Sequence, residues 1–196
     1  MYATLGDVRG KLVFWRRFPR GGKDPNLDYT QPFALDLTPL NKKYENTTGA
    51  DWVTDGHGYV FAQDMYKGDF LPKFDAWGEG YSRAFDSRWN PQHPDKIRQF
   101  INFSSLGGGY PVNNANVLNV AVNDWLSAVH SNEDKNGNNL GGQPVRTGVG
   151  VVPMDYPTQA NINLLIRTNF ELSYRINETT AGQQYYETIR DRMKNS

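Results

Sequence analysis

"GVGVVPMDYP", residues 148–157, is the stretch on which the fold prediction depends. Its apolar, glycine-rich start predicts a buried strand, yet Pro153 cannot donate a hydrogen bond to a neighbouring strand. We therefore expect Pro153 to mark a bulge or an early end of regular pairing, which leaves Asp155 on loop-like backbone. The position of Asp155 fits two interpretations: a functional carboxylate at a strand end, or a cap that accepts hydrogen bonds from the following helix.

Strands and helices alternate along the rest of the chain. Periodicity predicts strands at 10–18, 58–66, 97–106 and 147–156, and helices at 74–89, 113–130, 158–172 and 183–196. Candidate helix caps are Asn113 or Asn114 and Thr158. The composition of residues 19–58 predicts a long loop, and that of residues 131–144 predicts a polar loop. The order favours an α/β fold of about four parallel βα units in residues 1–196, half of a TIM-type barrel of eight units.

Three ionisable side chains stand near the ends of predicted strands: Arg17, Asp64 and Asp155. The carboxyl ends of parallel barrel strands form one face, which carries the catalytic groups in barrel enzymes. We therefore expect these side chains to converge on one rim, with Tyr66 two residues beyond Asp64. A surface network of salt bridges would explain the same positions.

Composition narrows the function classes. The chain has 21 basic and 21 acidic residues and no basic block, so a nucleic-acid partner is not expected. The lack of cysteine excludes disulfides, thiolate catalysis and cysteine-ligated zinc. The aromatic content of 13% is common where proteins meet sugar rings or lipid, and equally where large side chains pack a β-rich fold.

Other motifs give weaker signals. His57, His93 and His130 have no spacing typical of a metal site or a catalytic triad, which favours surface or loop positions. The segment "DKNGNN" (134–139) lacks the glycine and the acid that a calcium loop requires. The triple glycine at 107–109 is not followed by the Lys-Ser or Lys-Thr pair of a phosphate-binding P-loop.

Four ordered motifs resemble the C-terminal half of bacterial-type phosphatidylinositol-specific phospholipase C. They are "LGDVRGKLVFWRRF" (5–18), "FAQDMYKG" (61–68), "INFSSLGGG" (101–109) and "GVGVVPMDYP" (148–157), and the likeness covers most of residues 5–172. That family is a distorted TIM barrel, formally a lyase, in which the inositol 2-hydroxyl attacks the phosphodiester and releases diacylglycerol and a cyclic inositol phosphate. The resemblance implies a secreted parent enzyme of lipid metabolism with transient membrane contact. It implies no cofactor, with calcium as an open alternative.

The resemblance also implies residue roles. Arg17 would bind inositol hydroxyls, Asp64 would be its acidic partner, and Tyr66 would cover the ring of the sugar alcohol. Asp155 would orient the general-base histidine. The family's two catalytic histidines and its phosphate-stabilising arginine belong to the N-terminal half of the barrel. None of the three histidines of this chain falls at a matching position.

Three hypotheses follow from these observations. The first is the inositol-binding and base-orienting half of a phospholipase C-like phosphodiesterase, which would act on phosphatidylinositol. The second is a non-catalytic module that binds an inositol phosphate or another polyol. The third is another barrel phosphodiesterase or glycosidase with paired carboxylates that include Glu79. Trp77, Trp89 and Tyr110 would contact membrane, unless each is packed. A half-barrel leaves open sheet edges, so we expect the isolated chain to be unstable or associated.

Overall fold

The structure is a computed structural model that describes residues 15–16, 35–41, 43–54, 58–86, 98–145, 148–168 and 170–195. Its strands are β1 (Trp15–Arg16), β2 (Leu35–Asp36), β3 (Ala50–Thr54), β4 (Gly58–Gln63), β5 (Arg98–Asn102), β6 (Gln143–Val145) and β7 (Ser173–Arg175). Its helices are α1 (Phe70–Asp86), α2 (Pro111–Ser131), α3 (Gln159–Arg167) and α4 (Thr180–Lys194), with 3₁₀ turns at Thr38–Asn41 and Ile176–Glu178. The fold is therefore mixed α/β, as the alternation of patterns predicts.

The central sheet has the order β3-β4-β5. β4 and β5 run parallel, whereas β3 is antiparallel to β4. The 148–157 stretch lies beside β5, where Val151 forms a parallel bridge to Ile101. The Val151 N–H donates to the Phe100 carbonyl at 2.8 Å. Three parallel segments, β4, β5 and the Val151 segment, thus end at the same edge.

The predicted strand at 147–156 does not form as a regular strand: within 148–156 only Val151 pairs, so regular pairing is absent before Pro153 as well as after it. Val151 forms an isolated bridge, and the backbone from 152 to 154 belongs to no strand. Pro153 contributes its carbonyl, which accepts the Ser104 N–H at 2.9 Å, so its lack of an N–H does not weaken the contact. Asp155 follows in a bend, and Thr158 caps α3. The interpretation of Asp155 as the helix cap is therefore wrong.

The two faces of the central sheet contact different parts of the core. Phe61 and Phe100 face α1, with ring centroids 5.7 Å apart and Ala84 in the same cluster. Alternate residues of β4 and β5 belong to a second cluster with the first 3₁₀ turn: Leu37, Leu40, Val60, Ala62 and Ile101. The period-2 pattern predicted for 97–106 is thus confirmed over β5.

The larger core lies between helices. Aromatic rings of α1 stack along the helix, with Trp77 and Tyr81 centroids 5.6 Å apart, and contact α2 and α4. Gly78 permits this contact, because a Cβ atom there would lie 2.5 Å from the Tyr186 hydroxyl oxygen. The glycines that weaken the helix pattern therefore allow close packing. Trp77 is 1% exposed, so its predicted membrane contact is wrong.

Several local predictions differ from the structure. Residues 19–58 are not one long loop, since their described part contains β2, a 3₁₀ turn and β3. The predicted 131–144 loop contains most of β6, which pairs antiparallel with β7. Asn114 does not cap α2, which begins after Tyr110. Its side chain instead donates to the Leu106 and Gly108 carbonyls at 2.9 and 2.6 Å.

The predicted barrel has only partial counterparts in the structure. The described residues form three separate small sheets and no closed barrel. Parallel pairing joins β1 to β2 and β4 to β5, while β6 and β7 are antiparallel. The half-barrel of about four βα units stays a prediction. None of the described helices is both long and apolar enough to cross a membrane.

Candidate functional site

The candidate site, here called the rim, lies where β4, β5 and the Val151 segment end. It comprises Gln63, Asp64, Lys73, Ser104 and Asp155. Asp64 directly follows β4, and Asp155 follows Pro153. Both carboxylates favour the charged form of the same lysine, Lys73 of α1. The structure therefore brings Asp64 and Asp155 into one electrostatic environment although they are distant in sequence.

Lys73 is the most unusual residue of the rim, because its side chain is 0% exposed. Its Nζ donates to Gln63 Oε1 at 2.9 Å. Burial lowers the pKa of Lys73 to about 7, and the attraction of Asp64 and Asp155 opposes that shift. The ammonium form is therefore present below neutral pH and is lost just above it.

Gln63 connects Lys73 to the end of β4 and to Phe103, which directly follows β5. It is fully buried at the end of β4, and its Nε2 donates to the Phe103 carbonyl at 3.2 Å. Its Oε1 accepts the Met65 N–H at 3.1 Å as well as the lysine. Both ends of the amide are thus engaged, which fixes its orientation and leaves the oxygen directed at the lysine.

Asp64 is 4% exposed, so its surroundings contradict a surface network of salt bridges for this residue. Its N–H donates to the Thr47 carbonyl at 3.0 Å, which ties the end of β4 to the segment before β3. A buried carboxylate is costly without a nearby cation or hydrogen-bond donors. The buried ammonium group of Lys73 offsets part of that cost.

Tyr66 is held by neighbours on several sides. Its N–H donates to Asn46 Oδ1 at 2.9 Å, and its carbonyl accepts the Gly107 N–H at 2.7 Å. Its hydroxyl donates to Glu45, and this hydrogen bond raises the pKa of Tyr66. The Lys67 Nζ lies 5.1 Å from the ring centroid. The half-buried ring thus has a fixed place near the end of β4.

Asn119 of α2 holds the loop that carries Asp155. Its Nδ2 donates to the carbonyls of Asp155 and Tyr156 at 2.8 and 3.2 Å. Asn161, which completes the capping box of α3, donates to the Asn119 carbonyl at 3.0 Å. Two helices therefore determine where the backbone of Asp155 lies. The Asp155 residue itself is only partly exposed.

The sequence predictions meet different outcomes. Asp64 and Asp155 follow segments that both run parallel to β5, Tyr66 lies two residues past Asp64, and Arg17 falls outside the described residues. Their predicted roles in binding and catalysis stay predictions. Lys73 lies on the apolar side of α1, three residues after Phe70 and four before Trp77. A charged residue at such a position is the sequence signal that could have revealed its burial.

The predictions for the three histidines also have different outcomes. His57 and His93 lie outside the described residues. His130 is buried on α2, with its Nε2 3.3 Å from the Leu164 carbonyl, so its predicted surface or loop position is wrong. Burial lowers the pKa of His130. The helix pattern at 113–130 placed this residue beside Val129 and Leu126, which was the available sign of burial.

Other candidate features lie apart from the rim. A groove of about 750 Å³ runs between α1 and α4, and its lining includes Trp125 and Tyr186 but not Asp64, Lys73 or Asp155. Glu79 on this groove forms an ion pair with Arg83 at 2.7 Å. Within the part of the chain that the structure describes, no three acidic or histidine side chains are grouped to bind a metal ion.

Comparison with known proteins gives a likeness to solved structures. No protein-family model matches the sequence, and no curated protein matches it. Among solved structures, the chain is similar to the F249X mutant of phosphatidylinositol-specific phospholipase C from Staphylococcus aureus, with 18% identity and a TM-score of 0.48. The match covers 64% of this chain and 38% of that one.

Replacing Asn119 with alanine should loosen the Asp155 loop. The variant loses the hydrogen bonds to the Asp155 and Tyr156 carbonyls, which predicts a loss of about 1–3 kcal/mol in the free energy of unfolding. Urea denaturation measures that change, and amide NMR spectra report whether the signals of residues 154–156 shift. Asn116→Ala, an exposed change on the same helix, should alter stability by less than about 0.5 kcal/mol. Equal effects of the two substitutions would show that Asn119 does not anchor the loop.

Proposed function

We propose that this chain is the inositol-binding and base-orienting half of a phosphatidylinositol-specific phospholipase C-like phosphodiesterase. One observation carries the proposal: Asp64 and Asp155, from two of the four family-like motifs, follow β4 and the Val151 segment, which both run parallel to β5. A carboxylate pair at a strand-end rim is suited to bind and orient polar groups. The proposed ligand is the inositol headgroup of phosphatidylinositol.

The residues of the rim would have different roles in binding and catalysis. Asp64 accepts hydrogen bonds from inositol hydroxyls together with Arg17, and Tyr66 covers the apolar side of the ring. Asp155 holds the tautomer of a histidine that removes the proton of the 2-hydroxyl. The 2-oxygen then bonds to phosphorus while the bond to the diacylglycerol oxygen breaks, and that oxygen takes up a proton, so the products are diacylglycerol and a cyclic inositol phosphate. That histidine has no counterpart among His57, His93 and His130 by motif position.

Titration with myo-inositol tests the binding step. Addition of myo-inositol to the ¹⁵N-labelled chain should shift the amide signals of residues 63–67 and 154–156. Asp64→Asn should weaken the affinity by about tenfold, because one charge-assisted hydrogen bond is lost. Glu79→Gln is the matched control, since Glu79 is an exposed carboxylate paired with Arg83. Loss of binding at Glu79 but not at Asp64 would contradict the proposal and favour the paired-carboxylate hypothesis.

A non-catalytic polyol-binding function is the second candidate, and His130 favours it. His130 is the one histidine among the described residues, and it is buried against Leu164. It lies eleven residues along α2 from Asn119, which contacts the Asp155 loop, or about 16 Å along the helix axis. His130 is therefore not placed to be the base that Asp155 orients. Release of cyclic inositol phosphate from phosphatidylinositol by the purified chain would rule out this second function.

Transient membrane contact forms part of the proposal. Tyr110 is 79% exposed just before α2, and Tyr156 is 62% exposed next to Asp155. Replacing both with alanine should reduce cosedimentation with vesicles of phosphatidylcholine and phosphatidylinositol by about tenfold, since each ring buries apolar area in lipid. Phe170→Ala is the matched control, because Phe170 is 81% exposed after α3, away from both tyrosines in sequence. Unchanged vesicle binding of the double variant would contradict membrane contact through Tyr110 and Tyr156.

A further inference from the structure

The side chain of Lys73 has no exposure to solvent, and its ammonium group donates a hydrogen bond to Gln63 of the rim. Its side chain is fully buried, although the four-carbon stem of a lysine normally lets the ammonium group reach water. Instead, the Nζ lies 2.9 Å from the oxygen of a buried glutamine. The carboxylates that stabilise its charge are those of Asp64 and Asp155. The lysine therefore connects α1 to the end of β4, where Asp64 directly follows Gln63.

We propose that Lys73 is a positioning residue: its ammonium group, fixed by Gln63, holds Asp64 and Asp155 as one unit for ligand binding at the rim. Gln63 is itself fixed by Phe103, so the position of the ammonium group follows from the ends of β4 and β5. Carboxylates that attract the same cation repel each other, and the cation offsets that repulsion. Lys73 would act through these carboxylates rather than touch the substrate.

The electrostatic part of this inference does not depend on any ligand. In Lys-¹³Cε-labelled protein, the Lys73 signal should report a pKa of about 7. Asp64→Asn and Asp155→Asn should each lower that pKa, because each removes a charge that favours the ammonium form. Asp75→Asn, on the same helix but paired with Arg190 at 2.8 Å, should leave it unchanged. If the Lys73 signal titrates alike in all three variants, the inference is overturned.

The positioning part rests on the proposed function, because its readout is myo-inositol affinity at pH 6, where the ammonium form prevails. Lys73→Cys should weaken that affinity by about tenfold. Since the native chain contains no cysteine, bromoethylamine treatment of the unfolded variant aminoethylates position 73 alone and restores a lysine-like side chain. After refolding, this form should bind within about twofold of the native chain, treated in the same way.

The outcomes separate the two proposals. Restored affinity supports Lys73 as a positioning residue, while equal weak affinity of the folded cysteine and aminoethylated forms overturns that role. Urea denaturation of each form shows that the comparison is between folded proteins, since a purely structural lysine would change stability without changing the affinity of the folded fraction. Failure of the native chain to bind myo-inositol would refute the proposed function. The Lys73 titration would then still decide whether this lysine couples the two carboxylates.

Discussion

Gly150→Ala should lower the free energy of unfolding by about 3–5 kcal/mol and displace Asp155. Gly150 has a φ of +73°, a conformation that residues with a Cβ atom rarely adopt. Its added Cβ would lie 2.4 Å from the Phe100 carbonyl oxygen, which accepts the Val151 N–H. Relief of the clash must move this backbone and break the hydrogen bond that joins the Val151 segment to β5. Urea denaturation measures the loss of stability, and amide shifts of residues 154–156 report the displacement.

Gly137→Ala provides the matched control for this substitution. Gly137 also has a positive φ, +81°, but no atom lies within 4 Å of its added Cβ. The control therefore isolates the conformational cost of about 1–2 kcal/mol from the steric clash. If the two variants lose equal stability, close packing of Gly150 against Phe100 does not hold the Val151 segment in place.

The sequence pattern was most informative for long, periodic elements. α2 lies within two residues of its predicted bounds, and Thr158 caps α3 as expected, because helix periodicity and capping are local properties. α3 nevertheless ends at Arg167, five residues before its predicted end. β6 was missed because it has three residues, one of them a proline, and pairs with the distant β7. Short strands of this kind are stabilised by non-local pairing, which leaves little pattern in the sequence.

The rim was predictable only in part, for a related reason. Asp64 and Asp155 follow apolar strands, and parallel strands that end at one edge bring such residues together. Lys73 was missed because a lysine on a helix is ordinarily solvated. Its burial depends on Gln63 and on the way α1 packs over the end of the sheet, where Gly80 lets the helix approach Asn102. Neither contact leaves a local signal.

Lys73→Met should reveal a pH-dependent difference in stability from the native chain. In the folded chain Lys73 loses its proton near pH 7, whereas the unfolded chain keeps it until about pH 10.5. Between these values the unfolded state binds more protons, so the native free energy of unfolding should rise with pH relative to the methionine variant. At about 1.4 kcal/mol per pH unit, the rise is on the order of 4 kcal/mol.

Urea denaturation of both proteins from pH 6 to pH 10 measures this difference. Below about pH 7 the lysine is protonated in both states, so the two stability curves should run parallel there. Burial also raises the pKa of Tyr81 and of Tyr186, but these tyrosines are present in both proteins and their contributions cancel in the difference. Parallel curves up to pH 10 would show that Lys73 keeps an ordinary pKa. That result would also contradict the burial of the Lys73 side chain beside Gln63.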